Sequence, residues 1–182
     1  DAAIWFSDIR GYTAISEDLP EERLLAGLNA YFDCVVGSIY ENGGEVLKYI
    51  GDAILAVFPI EQHGSRQSAC VAALAAATDS AERLLALNDG RRSDGDPEFA
   101  HGVGLHVGQV RYGNIGSRDR LDFTVIGREV NIASRIEGVC KQLGESLLCS
   151  AAFAIEADTP ARNIGSFELK GVAEPISLCV PG

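Results

Sequence analysis

Two strand-like runs, residues 45–50 and 53–58, meet at Gly51-Asp52 with nothing else between them. A glycine and an aspartate between apolar runs spell a two-residue hairpin, because glycine accepts the backbone that so tight a turn needs. Pro59 closes the second run, since it cannot donate to a ladder. Upstream, residues 2–7 form a short apolar run that ends in Asp8 and leads past Gly11 and Thr13 into a helical pattern. Pro20 suits a first-turn position there. Leu24, Leu28, Tyr31, Phe32, Val35, Val36 and Ile39 then recur at helix period until Asn42-Gly43-Gly44 stops them. Downstream, residues 65–88 read as an alanine-rich helix with Cys70, Leu74, Ala77, Ala81 and Leu84 on one stripe. Residues 89–97 read as a charged, glycine-bearing loop expected to be mobile. Residues 99–115 and 121–126 look like strands around a turn at Gly116-Ser117-Arg118, and residues 130–143 like another helix. Shorter strand-like pieces follow, 167–170 and 176–180 being the clearest. Strand, helix, hairpin, helix, strand is the order of an α+β, ferredoxin-like βαββαβ sandwich, here with additional strands.

At 182 residues the chain suffices for one domain, 1–182, with a real core. Its net charge of −11 weighs against a nucleic-acid surface, which needs a basic stripe. A nucleotide substrate remains open, because a pocket needs few cations and metal ions supply charge. The five cysteines, Cys34, Cys70, Cys140, Cys149 and Cys179, show no CxxC pairing and no zinc-ligand spacing. They read as reduced, mostly buried thiols, and the domain as cytoplasmic. No apolar run approaches the roughly 18 residues of a membrane span. The abrupt start at Asp1, directly on a strand-like run, reads as a piece cut from a longer chain with an upstream regulatory or membrane domain.

The chemistry-bearing residues gather around the strand ends. Asp8 ends the first strand and Asp52 sits at the hairpin tip, and a ferredoxin-like sheet lays those elements side by side. Paired carboxylates suit magnesium or manganese, and two such ions about 4 Å apart activate an attacking oxygen and neutralise phosphates. The competing reading is a solvated turn aspartate and a capping aspartate. The segment Ile9-Arg10-Gly11-Tyr12-Thr13 leads from strand to helix, where backbone amides can cradle a triphosphate, although many such turns look alike. Lys48, in an otherwise apolar strand, either reads a ligand or simply reaches solvent. Asn131 and Arg135 stand four apart on one helix face and can hold a pentacoordinate phosphorus, or they are surface residues of an amphipathic helix.

Together these pieces resemble the class III nucleotide cyclase catalytic domain, in its threonine-containing bacterial adenylate cyclase subgroup. Phe6-Ser7-Asp8-Ile9-Arg10-Gly11-Tyr12-Thr13 resembles the family's metal-binding strand, and the stretch from Lys48 through Gly51-Asp52 to Phe58 resembles its hairpin. Gly104-Leu105-His106-Val107-Gly108, Gly113-Asn114-Ile115-Gly116, the helix with Asn131 and Arg135, and Leu169-Lys170-Gly171 follow in family order over nearly the whole chain. The resemblance implies Asp8, Asp52 and the Ile9 carbonyl as ligands of two divalent cations, Mg2+ or Mn2+. It implies the Gly11, Tyr12 and Thr13 amides, helped by Arg118, as the triphosphate cradle. Lys48 and Thr124 then read the base, Asn131 positions the ribose, Arg135 faces the α-phosphate and Lys170 binds phosphate. It also implies a homodimer with two sites shared across its interface.

Base choice follows from hydrogen bonding. Adenine offers an acceptor at N1 and a donor at N6, which suits a lysine that donates and a threonine hydroxyl that accepts. The expected reaction is therefore in-line attack of the ribose 3′-oxygen of ATP on the α-phosphorus, giving cyclic AMP and pyrophosphate. Three alternatives are weighed: a catalytically silent dimerising or regulatory domain, a guanylate cyclase, and a palm-type enzyme making a cyclic dinucleotide. The last would want Gly-Gly-Asp/Glu-Glu-Phe where Ile50-Gly51-Asp52-Ala53 stands. One departure is plain. Family members usually carry Asp after the glycine at 127, and this chain has Arg128-Glu129.

Overall fold

The computed structural model describes residues 1–117 and 121–182. The chain runs β1 (Ala2–Ile9), α1 (Tyr12–Asp18), α2 (Glu21–Glu41), β2 (Glu45–Ile50), β3 (Ala53–Pro59), α3 (Ile60–His63) and α4 (Arg66–Ser93). It continues with β4 (His101–Gly108), β5 (Arg111–Gly116), β6 (Leu121–Ile126), α5 (Arg128–Leu143), β7 (Leu147–Ser150), α6 (Ala151–Glu156), β8 (Ala161–Phe167) and β9 (Ile176–Pro181). A seven-stranded sheet has the order β2-β3-β1-β4-β7-β9-β8, and β5 pairs with β6 in a separate two-stranded sheet. The first four strands pair antiparallel throughout. That is the ferredoxin-like core expected from the element order, extended by β7, β9 and β8.

Alternation along β1 sorts the two faces. Ala3, Trp5 and Ile9 join Tyr31, Val35 and Ile39 of α2 and Ala69, Ala73 and Ala76 of α4 in one core. Ala2 and Ile4 face the other way, with Leu55, Val57, Val125 and Ala133. The small alanines of α4 let that helix lie close to the sheet, while α5 packs on the opposite face through Ile132, Ile136 and Cys140 against Leu148 and Leu178. Gly104 sets that second distance. A Cβ there would stand 2.5 Å from the Ala133 carbonyl and 2.6 Å from the Glu137 amide, so only glycine lets α5 come this near β4.

Several boundaries differ from the sequence reading. The first helical stretch breaks in two, with Pro20 before the second helix rather than in its first turn. α4 runs through residues 89–93, which composition marked as loop. The extra turn is held by its own charges: Arg92 bonds Asp89 at 2.9 Å, and Arg91 is buried with its guanidinium 3.9 Å above the Phe99 ring. Strand 99–115 divides at Gln109-Val110 into β4 and β5. α6 appears among the pieces read as short strands, capped by the Ser150 hydroxyl, which accepts from the Phe153 amide at 3.2 Å. The strand expected at 167–170 lies earlier, at residues 161–167. Leu169-Lys170-Gly171 is instead a turn, closed by the Val172 amide donating to the Leu169 carbonyl at 2.9 Å, with Gly171 at φ +81°.

Candidate active site

The acidic edge follows from strand register. The last β1–β3 pair is Ser7 with Ile54, and Ile50 with Ala53 closes the hairpin around Gly51-Asp52. Gly51, at φ +66°, supplies the left-handed backbone of that turn. Asp8, the next residue of β1, therefore stands at the hairpin tip, close enough to Asp52 for the two carboxyls to act on each other. Burial and the Asp52 carboxyl push the Asp8 pKa up to about 6. Two acids crowded this way favour either a shared proton or a cation. With the Ile9 carbonyl beside them the donors are all oxygen, the set that hard divalent ions prefer. Among the described residues no group of three or more His, Cys, Asp or Glu side chains is arranged for a metal. The edge thus fits ions that take their remaining ligands from water and a polyphosphate.

After Ile9 the chain turns at Gly11, φ +64°, and α1 begins at Tyr12 without a side-chain cap. The Gly11, Tyr12 and Thr13 amides lie at this helix start, beside the acids. Tyr12 anchors the turn by packing on the α2/α4 core.

α5 presents its residues on two faces. Ile132, Ala133, Ile136, Glu137 and Cys140 are buried against the sheet, while Asn131 and Arg135 are exposed. The α5 cation that lowers the Asp8 pKa is Lys141. Thr124 is buried on β6, and β6 packs against β2, which carries the half-buried Lys48, so one chain brings the two base-reading candidates to neighbouring strands. Lys170 is exposed on its turn, anchored by buried Leu169. Arg118 lies outside the described residues.

Sequence reasoning missed two buried polar ties. Arg10 reaches Glu137 at 3.4 Å and donates from Nη2 to the Glu145 carbonyl at 2.9 Å. Burial raises the Glu137 pKa to about 7, opposed by Arg10 and reinforced by Asp8. A carboxylate on the apolar stripe of an amphipathic helix is the signal that marked it. The second tie answers the Arg128-Glu129 departure. Glu129 accepts from His106 Nε2 at 2.7 Å, and His106 Nδ1 meets the Ser150 hydroxyl at 2.7 Å. Burial lowers the His106 pKa, and a neutral ring that donates from Nε2 to Glu129 accepts the Ser150 proton at Nδ1. Gly108 leaves room for the Glu129 stem, which a Cβ there would approach to 2.6 Å. Arg128 points outward, 55% exposed, so the position where acid is usual in the family carries a solvent-facing base.

Fold and edge define a class: an α+β domain with paired acids beside a helix start at one edge of its sheet. The family is narrower. Residues 1–174 match the family model described as "Adenylate and Guanylate cyclase catalytic domain", and the chain belongs to that family. It is 35% identical over 177 residues to adenylate cyclase 1 of Rhizobium meliloti, covering 95% of this chain and 26% of that protein. It is 39% identical over 184 aligned positions to an adenylate cyclase of Anabaena cylindrica, covering 96% of this chain and 35% of that protein. The chain thus spans about a quarter to a third of these curated relatives. Among solved structures, the adenylyl cyclase CyaB of P. aeruginosa superposes with a TM-score of 0.90 at 28% identity, covering 100% of this chain and 93% of that one. The guanylyl cyclase Cya2 superposes with a TM-score of 0.86 at 28% identity, covering 99% and 90%. No helix of the described residues is long and apolar enough to cross a membrane.

Proposed function

We propose that this domain is an adenylate cyclase that closes ATP into 3′,5′-cyclic AMP and pyrophosphate in two equivalent sites shared by a homodimer. The observation that carries the reading is the meeting of Asp8 and Asp52 at the sheet edge, set by the β1–β3 register and the β2–β3 hairpin, with the Asp8 pKa raised to about 6. Asp8, Asp52 and the Ile9 carbonyl hold two divalent cations, Mg2+ or Mn2+. When bound, these ions supply the charge that activates the ribose 3′-oxygen and neutralises the phosphates. The Gly11, Tyr12 and Thr13 amides receive the triphosphate, with Arg118 and Lys170 adding positive charge. Asn131 orients the ribose, and Arg135 faces the α-phosphate, where negative charge grows in the transition state.

The shared arrangement is supported by where one chain puts these groups. Asn131 and Arg135 project from the exposed face of α5, the face turned away from their own sheet. The β5–β6 hairpin, separate from the main sheet, exposes Tyr112, Leu121, Phe123 and Ile126, an apolar surface suited to a second copy. The base is read by Lys48 and Thr124, whose donor and acceptor suit adenine. The similarity to a guanylyl cyclase at a TM-score of 0.86 means that the fold itself does not choose the base. Guanylate cyclase is therefore the second reading, and Lys48 is the residue that argues against it. Five cysteines that all remain thiols support a cytoplasmic domain, and relatives three to four times longer support fusion to a further domain.

The decisive experiment mixes two inactive chains, Asp52→Ala and Arg135→Ala. Each heterodimer keeps one complete site, so turnover of ATP with Mg2+ or Mn2+ should return to about half the wild-type value per heterodimer. Heterodimers that form and stay silent refute the shared site.

A further inference from the structure

Arg10 stands between the Ile9 carbonyl and the Gly11 turn, and its side chain leaves that edge for the helix behind it. Its amide donates to the Ala100 carbonyl at 2.7 Å, Nη2 donates to the Glu145 carbonyl at 2.9 Å, and Nη1 lies 3.4 Å from Glu137 Oε1. The pair is sheltered, with side-chain exposures of 21% and 10%. Gly102 keeps the passage open: a Cβ there would collide with Arg10 Nη2 and stand 2.6 Å from Glu137 Oε1. Gly104 clamps the α5 backbone at the same place. Parting this sheltered pair would leave each group without its partner, so movement of the metal edge is linked to movement of α5.

Glu137 lies two residues after Arg135 and so projects from the opposite side of α5. If sites are shared as proposed above, a reading on which this inference rests, the acidic edge and the α5 face of one chain serve different sites. We propose that Arg10–Glu137 is a positioning device that couples the two sites of the dimer, holding the metal edge of one in register with the helix that serves the other.

The test uses the one-site heterodimer, in which the Arg135→Ala chain supplies the acidic edge and the Asp52→Ala chain supplies Asn131 and Arg135. Glu137→Ala is added to either chain in turn. In the edge-supplying chain it should raise the Mn2+ concentration for half-activity about tenfold, the effect typical of a residue orienting metal ligands, with kcat at saturating Mn2+ little changed. In the helix-supplying chain it should lower kcat about tenfold and leave the Mn2+ dependence alone. Without turnover, Mn2+ binding in the presence of 3′-deoxy-ATP, followed by electron paramagnetic resonance, should weaken about tenfold in the Glu137→Ala homodimer. Glu137→Gln, which keeps an oxygen for Arg10, should restore it. Gly102→Ala wedges the same pair apart and should reproduce the split if Glu137→Ala folds poorly. Equal effects from either chain mean general loosening and overturn the coupling, as does no effect from either. A parent heterodimer that is silent before Glu137 is touched overturns the shared site instead.

Discussion

The acidic edge and the outward face of α5 are built by opposite rules. At the edge, Asp8 and Asp52 are half-buried and crowded, so the site carries an electrostatic tension that a cation relieves. On α5, Asn131 and Arg135 stand in solvent, one turn apart, where holding them ready costs the fold little. On the proposed reading, burial tunes the metal half, whereas the other half depends on being brought to its target by assembly. Between the two, inside one chain, runs the Arg10–Glu137 pair.

Breaking the edge should have the largest effect. Asp8→Ala or Asp52→Ala should lower turnover by more than about 10³-fold, beyond what loss of one transition-state donor costs, with the circular dichroism spectrum unchanged. Activity within tenfold of wild type would remove the carboxylates from metal binding. Next comes the helix face. Arg135→Ala should lower kcat about 10²- to 10³-fold while leaving Mn2+ binding intact, which sets it apart from the edge variants. Smaller again is base reading: Lys48→Glu should shift the ATP-to-GTP ratio of kcat/KM by about tenfold or more toward GTP, and an unmoved ratio would separate Lys48 from the base.

The smallest effect is on stability. Asp8 titrates near 6 in the folded chain against an ordinary 3.8, and Glu137 near 7 against 4.5, so the folded state binds these protons more tightly than the unfolded one. Their contribution is full below the ordinary values and is lost as pH rises through about 6 and 7. His101, buried and lowered to about 4, has the opposite sign, its contribution falling away as pH drops below 6.5. Comparing wild type with Asp8→Asn by calorimetry cancels His101. The metal-free melting temperature of wild type should fall relative to Asp8→Asn between pH 4 and pH 7, by a few degrees. Added Mn2+, competing with the proton at Asp8, should stabilise wild type more at pH 8 than at pH 5. A flat difference would mean that the edge is not strained.

Much of the edge was legible because it is local. A hairpin tip and a strand end are set by Gly51, Asp52, Pro59 and alternation, so the acids could be placed without knowing what packs above them. The helix pair Asn131 and Arg135 was legible for the same reason, since a fixed period puts positions four apart on one face. Residues 89–93 were not legible: charge and a glycine suggest a loop, yet Arg91 finds Phe99 and Pro97 eight and six residues on, and the helix continues. The strand placed at 167–170 failed likewise, because the apolar Leu169 is buried as the anchor of a turn rather than in a ladder.

The β1–helix–hairpin–helix order of the core, the placing of the two acids and the family motifs were therefore determined by the sequence alone, through periodicity and turn chemistry that act over a few residues. The mutual influence of Asp8 and Asp52, the packing of β6 against β2, and the partners of Glu137 and Glu129 were decided only by tertiary structure. Burial and charge depend on distances between residues far apart in the chain, and those distances exist only once the sheet has set the helices over it.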